Sequence, residues 1–172
     1  VRVYTTDGRV TSACVDMGYA TLDTTALRLN IPKRQVVNYP VEIAGQPWEI
    51  TCVDMGNPHC VVFCSRVDGV DVARIGPQFE HAPYFPDRIN TEFIRVVNPS
   101  TIKMRERGSG ETLACGTGAC AAVVAAVANG LCEKGRDITV RVQGGDLVVH
   151  YTDEAVTLTG DAKLVYTGVV EY

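Results

Sequence analysis

Hydrophobic and polar residues alternate along most of the chain, and this period of two predicts β-strands. The predicted strands are residues 1–5, 10–17, 35–43, 48–55, 59–64, 89–97, 101–107, 137–143, 146–151, 155–159 and 163–166. Turn-forming residues separate several of them and predict tight connections: Asp7-Gly8, Ala44-Gly45-Gln46-Pro47, Asn98-Pro99-Ser100 and Gly144-Gly145. The pattern is therefore that of a strand-rich domain.

Two segments depart from this alternation and predict helices. Residues 71–81 form the first, with Asp71 as its N-cap. Residues 117–128 form the second; they are almost all Ala and Val, and Asn129-Gly130 ends them. A helix that is apolar on every side belongs in a core, and its small side chains let a sheet approach closely. We therefore predict an α+β fold, an antiparallel β-rich barrel or strongly curved sheet wrapped around a central apolar α-helix.

Composition narrows the class of protein. The 172 residues suffice for one domain, or one and part of another, and a hydrophobic content of 46% excludes a disordered chain. No apolar run reaches the roughly 18 residues of a membrane span, and no signal-peptide pattern opens the chain. A net charge of −4 with scattered basic residues argues against a nucleic-acid partner. The first residue is Val rather than Met, so we expect a piece of a longer protein or one half of a split enzyme.

Seven cysteines require an explanation. Their number is odd and they show no compact spacing framework, which favours free thiols in a reducing cytoplasm over secreted disulfides. Cys52, Cys60 and Cys64 flank His59, but no C-x-x-C pair is present, so we expect no metal site.

Cys115 is the strongest candidate for chemistry. It lies at or just before the first turn of the apolar helix, where the helix dipole is expected to lower a thiol pKa. The free N–H groups near Gly116, Thr117 and Gly118 would form a seat for an anion. The alternative is a buried packing cysteine, which is how we interpret Cys120.

Other polar residues each allow more than one interpretation. Asn57 precedes a proline and is pushed out of helical geometry, so its amide points away from the chain or makes an ordinary Asx turn. His59 could be a structural histidine, a base or a metal ligand. Glu106 and Arg107 end a strand; they are solvated charges, or they pair with the ammonium and carboxylate of an amino acid.

Three motifs together resemble the diaminopimelate epimerase family: Gly56-Asn57-Pro58-His59-Cys60, Arg88-Ile89-Asn90, and Arg105-Glu106-Arg107 followed by the glycine loop to Cys115-Gly116-Thr117-Gly118. Their order and spacing match, from about Asp7 to the end, and correspond to the C-terminal half of such enzymes. The resemblance implies conversion of LL-diaminopimelate to the meso form, for lysine and peptidoglycan biosynthesis. It also implies two facing cysteines and no cofactor, neither pyridoxal phosphate nor a metal.

The same resemblance implies a role for each matched residue. Cys115 would be the C-terminal member of the thiol pair. The backbone of Gly116 and Thr117 would bind the α-carboxylate, and Glu106 the reacting ammonium. His59 would lie beside Glu106 and support thiolate formation. The residues expected at the distal, non-reacting centre are Asn57, Asn90 and Arg107.

The chain departs from the family pattern at its N-terminal side. The family has a preceding domain that carries the other cysteine in a Cys-Gly-Asn context, and that tripeptide does not occur here. We therefore expect residues 1–161 to be a C-terminal-type epimerase domain, with residues 1–6 as a linker or crossing strand. Residues 162–172 would be a closing strand that packs on the N-terminal domain. The expected partners are that domain, the small-molecule substrate and, as in the family, a second copy in a homodimer.

Two alternatives remain at this stage. A proline racemase-like isomerase usually carries a Ser-Pro-Cys-Gly-Thr-Gly context, whereas Leu113-Ala114 precedes Cys115 here. A non-catalytic module that retains the fold is the other. The chain alone is expected to be inactive, because a single thiol cannot serve both faces of the α-carbon.

Overall fold

The computed structural model describes residues 1–108 and 110–171. Within them the chain forms ten strands, two α-helices and two short 3₁₀ turns. The strands are β1 (Arg2–Thr6), β2 (Arg9–Asp16), β3 (Tyr39–Ile43), β4 (Gln46–Asp54), β5 (Pro58–Phe63), β6 (Asn90–Asn98), β7 (Thr101–Arg107), β8 (Asp137–Val142), β9 (Gly145–Tyr151) and β10 (Val156–Asp161). The helices are α1 (Val72–Glu80) and α2 (Gly116–Ala128), and the 3₁₀ turns are Thr24–Leu27 and Val67–Gly69.

All ten strands belong to one sheet, in the order β1-β2-β10-β9-β8-β7-β6-β5-β4-β3. Neighbours are antiparallel except at two places, where β5 pairs with β6 and β7 pairs with β8 in parallel. The sheet is therefore mixed rather than purely antiparallel. Each parallel pair is connected through a helix, α1 for the first and α2 for the second, because parallel strands need a crossover.

The sheet curls around α2, as the sequence predicts. Strands β4 to β10 all contact this helix, and its residues 118–126 are buried. The side chains of the helix are Ala, Val and Cys on every side, so the sheet can close on it from several directions. α2 thus forms the centre of the larger hydrophobic core.

The opposite face of the sheet packs on α1 and forms a second core. There Phe79 of α1 meets Trp48 and Phe93 edge to face, with ring centroids 5.2 and 5.3 Å apart. Asp71 caps α1 by accepting a hydrogen bond from the Arg74 N–H at 3.1 Å, which confirms the predicted N-cap. The sheet therefore carries one helix on each face.

Two hairpin turns have the conformation that their sequences predict. Asp7 and Gly8 have φ of 51° and 75°, and Ala44 and Gly45 have φ of 58° and 67°. Two successive left-handed residues are the signature of the type I′ turn, which suits the twist of antiparallel strands. The second connection is shorter than predicted, since β4 already begins at Gln46.

Two predicted strand segments are absent. Residues 35–38 do not belong to β3, and Asn38 is left-handed with φ of 48°. The predicted strand 163–166 does not form: residues 162–171 lie outside any helix or strand, and Leu164 and Val165 are exposed. Residues 163–166 alternate between hydrophobic and polar residues, but no strand of the described chain pairs with them. Tyr172, the last residue of the expected closing strand, lies outside the described residues. No helix of the described part is both long and apolar enough to cross a membrane.

Candidate active site

Three adjacent strands each place a titratable side chain on the face that holds α2. His59 comes from β5, Glu92 from β6 and Glu106 from β7, and Glu92 lies directly opposite Glu106 in the antiparallel pair. His59 and Glu92 are fully buried, and Glu106 is 4% exposed. Buried charges are kept only where they are paired, so the row of His59, Glu92 and Glu106 is a candidate functional site.

His59 makes a hydrogen bond through each of its ring nitrogens. Nδ1 lies 2.7 Å from Glu92 Oε1, and Nε2 lies 3.1 Å from Asn57 Oδ1. The hydrogen-bond partner of His59 is thus Glu92 rather than Glu106. Burial raises the pKa of Glu92, and the neighbouring His59 opposes that shift. The imidazole and the carboxylate thus form a hydrogen-bonded pair that is fully buried.

Cys115 is the N-cap of α2, at the position that the sequence predicts. Its backbone is extended, and its sulfur accepts a hydrogen bond from the Gly118 N–H at 3.3 Å. The Thr117 hydroxyl lies 3.6 Å from the same sulfur. Within the described residues the N–H groups of Gly116 and Thr117 have no hydrogen-bond acceptor. The first turn of α2 therefore offers a thiol and two unpaired donors side by side.

The expectation that the helix lowers the pKa of Cys115 is wrong for this chain. The Cys115 thiol is partly buried, and this loss of solvent raises its pKa. The hydrogen bonds from Thr117 and Gly118 lower the pKa, but their effect is smaller. The carboxylates of Glu92 and Glu106 add to the rise, since a thiolate beside them is repelled. Burial raises the pKa of Cys120 to about 12, in agreement with its interpretation as a packing residue.

Gly118 allows Glu92 and Cys115 to approach each other. A Cβ atom at this position would lie 2.7 Å from Glu92 Oε1 and 3.2 Å from Cys115 Sγ. Both atoms therefore border the same glycine, and any side chain there would displace one of them. The glycine at this point of the motif is required by the close approach.

Glu106 joins the site to the glycine loop. Its Oε1 accepts hydrogen bonds from the Thr112 N–H at 3.2 Å and from the Thr112 hydroxyl. One residue earlier on β7, Arg105 pairs with Glu111 of the same loop at 2.6 Å. These contacts hold the loop that leads into α2 against the end of β7. Ser109, within this loop, lies outside the described residues.

Arg107 lies on the other face of β7, toward α1. Its Nη2 is 3.6 Å from Glu80 Oε2, and its aliphatic stem packs against Gly76, where a Cβ would lie only 2.5 Å from Arg107 Cδ. The Arg107 Nε is buried and has no partner within the described residues. The guanidinium therefore keeps donors that are not committed to Glu80.

Asn57 and Asn90 lie at the strand ends beside this row. The Asn57 amide donates to Thr117 Oγ1 at 3.4 Å, which favours an outward-pointing amide over a simple Asx turn. The Asn90 amide donates to the Pro58 carbonyl at 2.9 Å. A pocket of about 190 Å³ opens next to Asn90, lined by Pro58, Glu80, Asp87, Arg88, Ile89, Asn90 and Gly108.

The structure thus brings together most of the residues singled out in the sequence. Asn57, His59, Glu106, Cys115 and the first turn of α2 adjoin one another, while Arg107 approaches from the opposite face. Sequence reasoning missed Glu92. The signal was present, since Glu92 alternates with Asn90 and Ile94 on the buried face of a strand, where a carboxylate needs a partner. Among the described residues, no three His, Cys, Asp or Glu side chains are grouped as metal ligands would be.

Comparison with known proteins identifies the family. The family model described as diaminopimelate epimerase matches residues 51–165, which include every candidate site residue. The chain belongs to the diaminopimelate epimerase family.

Two curated relatives illustrate the similarity. The chain is 46% identical to the diaminopimelate epimerase of Nostoc punctiforme over 97% of its own length and 64% of that protein. It is 51% identical to the diaminopimelate epimerase of Acaryochloris marina over 79% of its own length and 49% of that protein. The chain therefore spans less than two thirds of the length of these relatives.

A solved structure shows the same fold at low sequence identity. A protein described as a predicted epimerase from Pseudomonas aeruginosa superimposes with a TM-score of 0.51 and 16% identity, over 94% of this chain and 61% of that one. The curled mixed sheet around an apolar helix is therefore the epimerase-type fold that the sequence predicts.

Proposed function

We propose that this chain forms one half of the active site of a diaminopimelate epimerase, in which Cys115 exchanges the α-proton of the substrate. The observation that carries the proposal is a cysteine that caps a buried helix, next to buried carboxylates and to N–H groups that have no acceptor among the described residues. Family membership supplies the substrate class. Lysine and peptidoglycan biosynthesis would be the processes served.

The difficult step is removal of a weakly acidic α-proton. Negative charge develops on the α-carboxylate as the proton leaves, and donors already in place stabilise that charge without rearranging. The N–H groups of Gly116 and Thr117 point from the positive end of α2 and fit this role. Glu106, close to the same helix end, would hold the substrate ammonium. No cofactor is required for this chemistry.

Cys115 would act in both directions of the reaction. As a thiolate it removes the proton from one face of the α-carbon, and as a thiol it returns a proton to that face. Because burial raises its pKa in this chain, the thiol is the resting form at neutral pH. Hydrogen bonds from Thr117 and Gly118 are the local contacts that favour the thiolate.

Binding of the distal centre would fall to three polar side chains. Asn57 contacts Thr117 beside Cys115, Asn90 lies opposite His59 at the end of β6, and the Arg107 Nε has no partner within the described residues. A guanidinium can bind a carboxylate through two parallel hydrogen bonds, which makes Arg107 the natural partner of the distal carboxylate. His59, through Asn57, would support the thiolate.

The second thiol would come from outside this chain. Inversion requires an acid on the face opposite the base, and we propose that it belongs to an N-terminal domain. The chain spans only 64% of its Nostoc relative, which leaves room for such a domain. Residues 162–171 expose Leu164, Val165, Tyr166, Val169 and Val170 and would pack on it. Seven free thiols also suit a reducing compartment such as the cytoplasm.

The proposal can be tested by following conversion of LL-diaminopimelate to the meso form by chiral chromatography. The chain is assayed alone and mixed with a separately produced N-terminal half of the Nostoc relative. We expect turnover only in the mixture. Cys115→Ala should abolish it, whereas Cys120→Ala, five residues along the same helix, should retain it.

The outcomes separate the alternatives. Turnover by the chain alone, or by Cys115→Ala in the mixture, would contradict the two-thiol proposal. A mixture that forms a stable complex and binds diaminopimelate without turnover would favour a non-catalytic module. Turnover of proline instead would favour the proline racemase-like alternative.

A further inference from the structure

A continuous chain of hydrogen bonds runs from Glu92 to the sulfur of Cys115. Glu92 Oε1 lies 2.7 Å from His59 Nδ1, and His59 Nε2 lies 3.1 Å from Asn57 Oδ1. The Asn57 amide donates to Thr117 Oγ1 at 3.4 Å, and Thr117 Oγ1 lies 3.6 Å from Cys115 Sγ. Glu92 is the buried end of this chain and Cys115 its accessible end.

The donors of this chain all point the same way. His59 Nε2 faces Asn57 Oδ1, and an amide oxygen can only accept, so Nε2 carries a proton and donates to Asn57. The hydrogen bond between His59 Nδ1 and Glu92 Oε1 then holds a second proton. Since the Asn57 oxygen is occupied by the bond from Nε2, its amide nitrogen donates to Thr117. The Thr117 oxygen then accepts, and its hydroxyl proton is free to point to sulfur.

We propose that Glu92 is a positioning residue that acts through His59 and Asn57 to orient the Thr117 hydroxyl as a donor to the Cys115 sulfur. The proposal deepens the proposed function and rests on it for its purpose. It states in which direction each of the four hydrogen bonds between Glu92 and Cys115 is donated. If His59 turned its unprotonated nitrogen to Asn57, the amide would reverse, and Thr117 would donate to Asn57 instead of to Cys115.

Glu92 has no other evident task. Its second oxygen, Oε2, is buried and has no partner within the described residues. A buried ion pair is rarely an efficient means of stabilising a fold, because the desolvation of its charges offsets their attraction. Among the described residues His59 is the only side-chain hydrogen-bond partner of this fully buried carboxylate, which fits a positioning role.

Direct repulsion is the competing effect. The titratable groups that interact with Glu92 are His59 on β5, Glu106 on β7 and Cys115 at the start of α2, with Cys60 on the far side of the sheet. A negative charge on Glu92 disfavours the thiolate through space, so its removal alone would make Cys115 more reactive. Any test must therefore separate the charge of Glu92 from its hydrogen bond.

Two variants make this separation. Glu92→Gln and Glu92→Leu both remove the charge, but only glutamine can donate to His59 Nδ1 and keep Nε2–H toward Asn57. The measurement is the rate at which iodoacetamide alkylates Cys115 in the purified chain, at one mildly alkaline pH, read by mass spectrometry of the Cys115 peptide. We expect Glu92→Leu to react about tenfold more slowly than Glu92→Gln, the value of one lost hydrogen bond to a charged group.

Thr117→Val tests the other end of the hydrogen-bond chain, next to Cys115. It should slow alkylation of Cys115 about tenfold in the Glu92→Gln background and have no further effect in the Glu92→Leu background. Thr91→Val is the matched control: Thr91 is buried, precedes Glu92 on the opposite face of β6 and has a hydroxyl without a partner in the described chain. In the Thr91→Val variant, Cys115 should be alkylated at the same rate as in the parent protein.

Equal rates for Glu92→Gln and Glu92→Leu would overturn the proposal. If Glu92→Leu fails to fold, nitrogen-15 NMR of the parent protein decides. A His59 ring without a proton on Nε2 would contradict the proposed hydrogen-bond directions, and a protonated Nε2 would support them. None of these readouts uses diaminopimelate. The predicted alkylation rates, together with no epimerisation in the mixture with the N-terminal half, would therefore count against the proposed function alone.

Discussion

At the scale of single residues, two glycines determine how closely the site side chains can pack. Gly118 borders Glu92 and Cys115, and Gly76 of α1 borders the stem of Arg107. Neither glycine has a positive φ, so backbone freedom is not what requires them. The absence of a side chain is what the neighbouring residues need.

Gly118→Ala should destabilise the chain although it improves helix propensity. Alanine in a helix is favoured over glycine by up to about 1 kcal/mol. Its methyl group would, however, lie 2.7 Å from Glu92 Oε1, and Glu92 is held by its 2.7 Å contact with His59. Overpacking of this kind costs about 1–3 kcal/mol, so we expect a net loss of about 1 kcal/mol in urea unfolding.

Gly116→Ala is the matched comparison for this substitution. Its methyl group would meet the end of the Leu158 side chain at 3.0 Å, and a side-chain end can move. A smaller loss of stability is expected for it than for Gly118→Ala. Equal or greater stability of Gly118→Ala relative to the parent would show that Glu92 is not held in place.

Gly76→Ala should disturb Arg107. The new Cβ would lie 2.5 Å from Arg107 Cδ and 3.0 Å from Arg107 Cβ, so the whole stem would have to move. In the mixture assayed above, we expect a higher KM for diaminopimelate with a smaller change in kcat, because binding rather than chemistry is affected. Gly69→Ala, with only Arg66 Cβ at 4.0 Å, is the control. An unchanged KM in Gly76→Ala would exclude Arg107 from substrate binding.

At the scale of elements, α2 is the part on which the site depends. It is enclosed by β4 to β10, and its side chains are small on every side. An ordinary surface helix buries one face, and side chains on its exposed face can change size without displacing a neighbour. Here no side is free in the middle of the helix, so each added methylene must displace a strand.

Ala125→Leu should therefore be costly. Ala125 is fully buried in the middle of α2, and we expect the substitution to lower the free energy of unfolding by about 3 kcal/mol. Ala128→Leu, at the half-buried last residue of the same helix, should be tolerated. Thermal unfolding monitored by circular dichroism compares the two. Similar melting temperatures for both variants would mean that the sheet is more adaptable than the structure indicates.

The elements show what the sequence could and could not reveal. The N-cap position of Cys115 and the burial of α2 follow from local composition, so they were predictable. The parallel pairs β5·β6 and β7·β8 were not, because a period of two describes a strand but not its neighbour. For the same reason residues 163–166 alternate without forming a strand. The pKa of Cys115 depends on burial by distant strands, and the contact of Glu92 with His59 joins residues of two strands.

At the scale of the whole molecule, buried thiols connect stability to pH. Burial raises the pKa of Cys60 and Cys120, the latter to about 12. In the unfolded chain a cysteine loses its proton near pH 8.5, so above about that pH the unfolded state binds fewer protons than the native state. The free energy of unfolding should then fall as pH rises.

For Cys120 alone the expected loss is about 2 kcal/mol between pH 8.5 and pH 10, since each pH unit is worth about 1.4 kcal/mol. Urea unfolding at intervals across this range measures the slope. Cys120→Ala changes the absolute free energy of unfolding. It should also make its dependence on pH shallower, because the contribution of the Cys120 thiol is removed. Parallel slopes for the parent and this variant would show that the Cys120 thiol ionises equally in both states.

The enclosure of α2 also has a consequence for the exchange of its amide protons with solvent. An amide exchanges when its hydrogen bond breaks and water reaches it, and in the middle of α2 both require the surrounding strands to separate. Exchange at Val124 should therefore occur only through global unfolding. In β1, by contrast, all five residues are exposed at the edge of the sheet, and outward-facing amides need no such opening. The amides of α2 thus report the stability of the entire molecule in plain buffer, without denaturant.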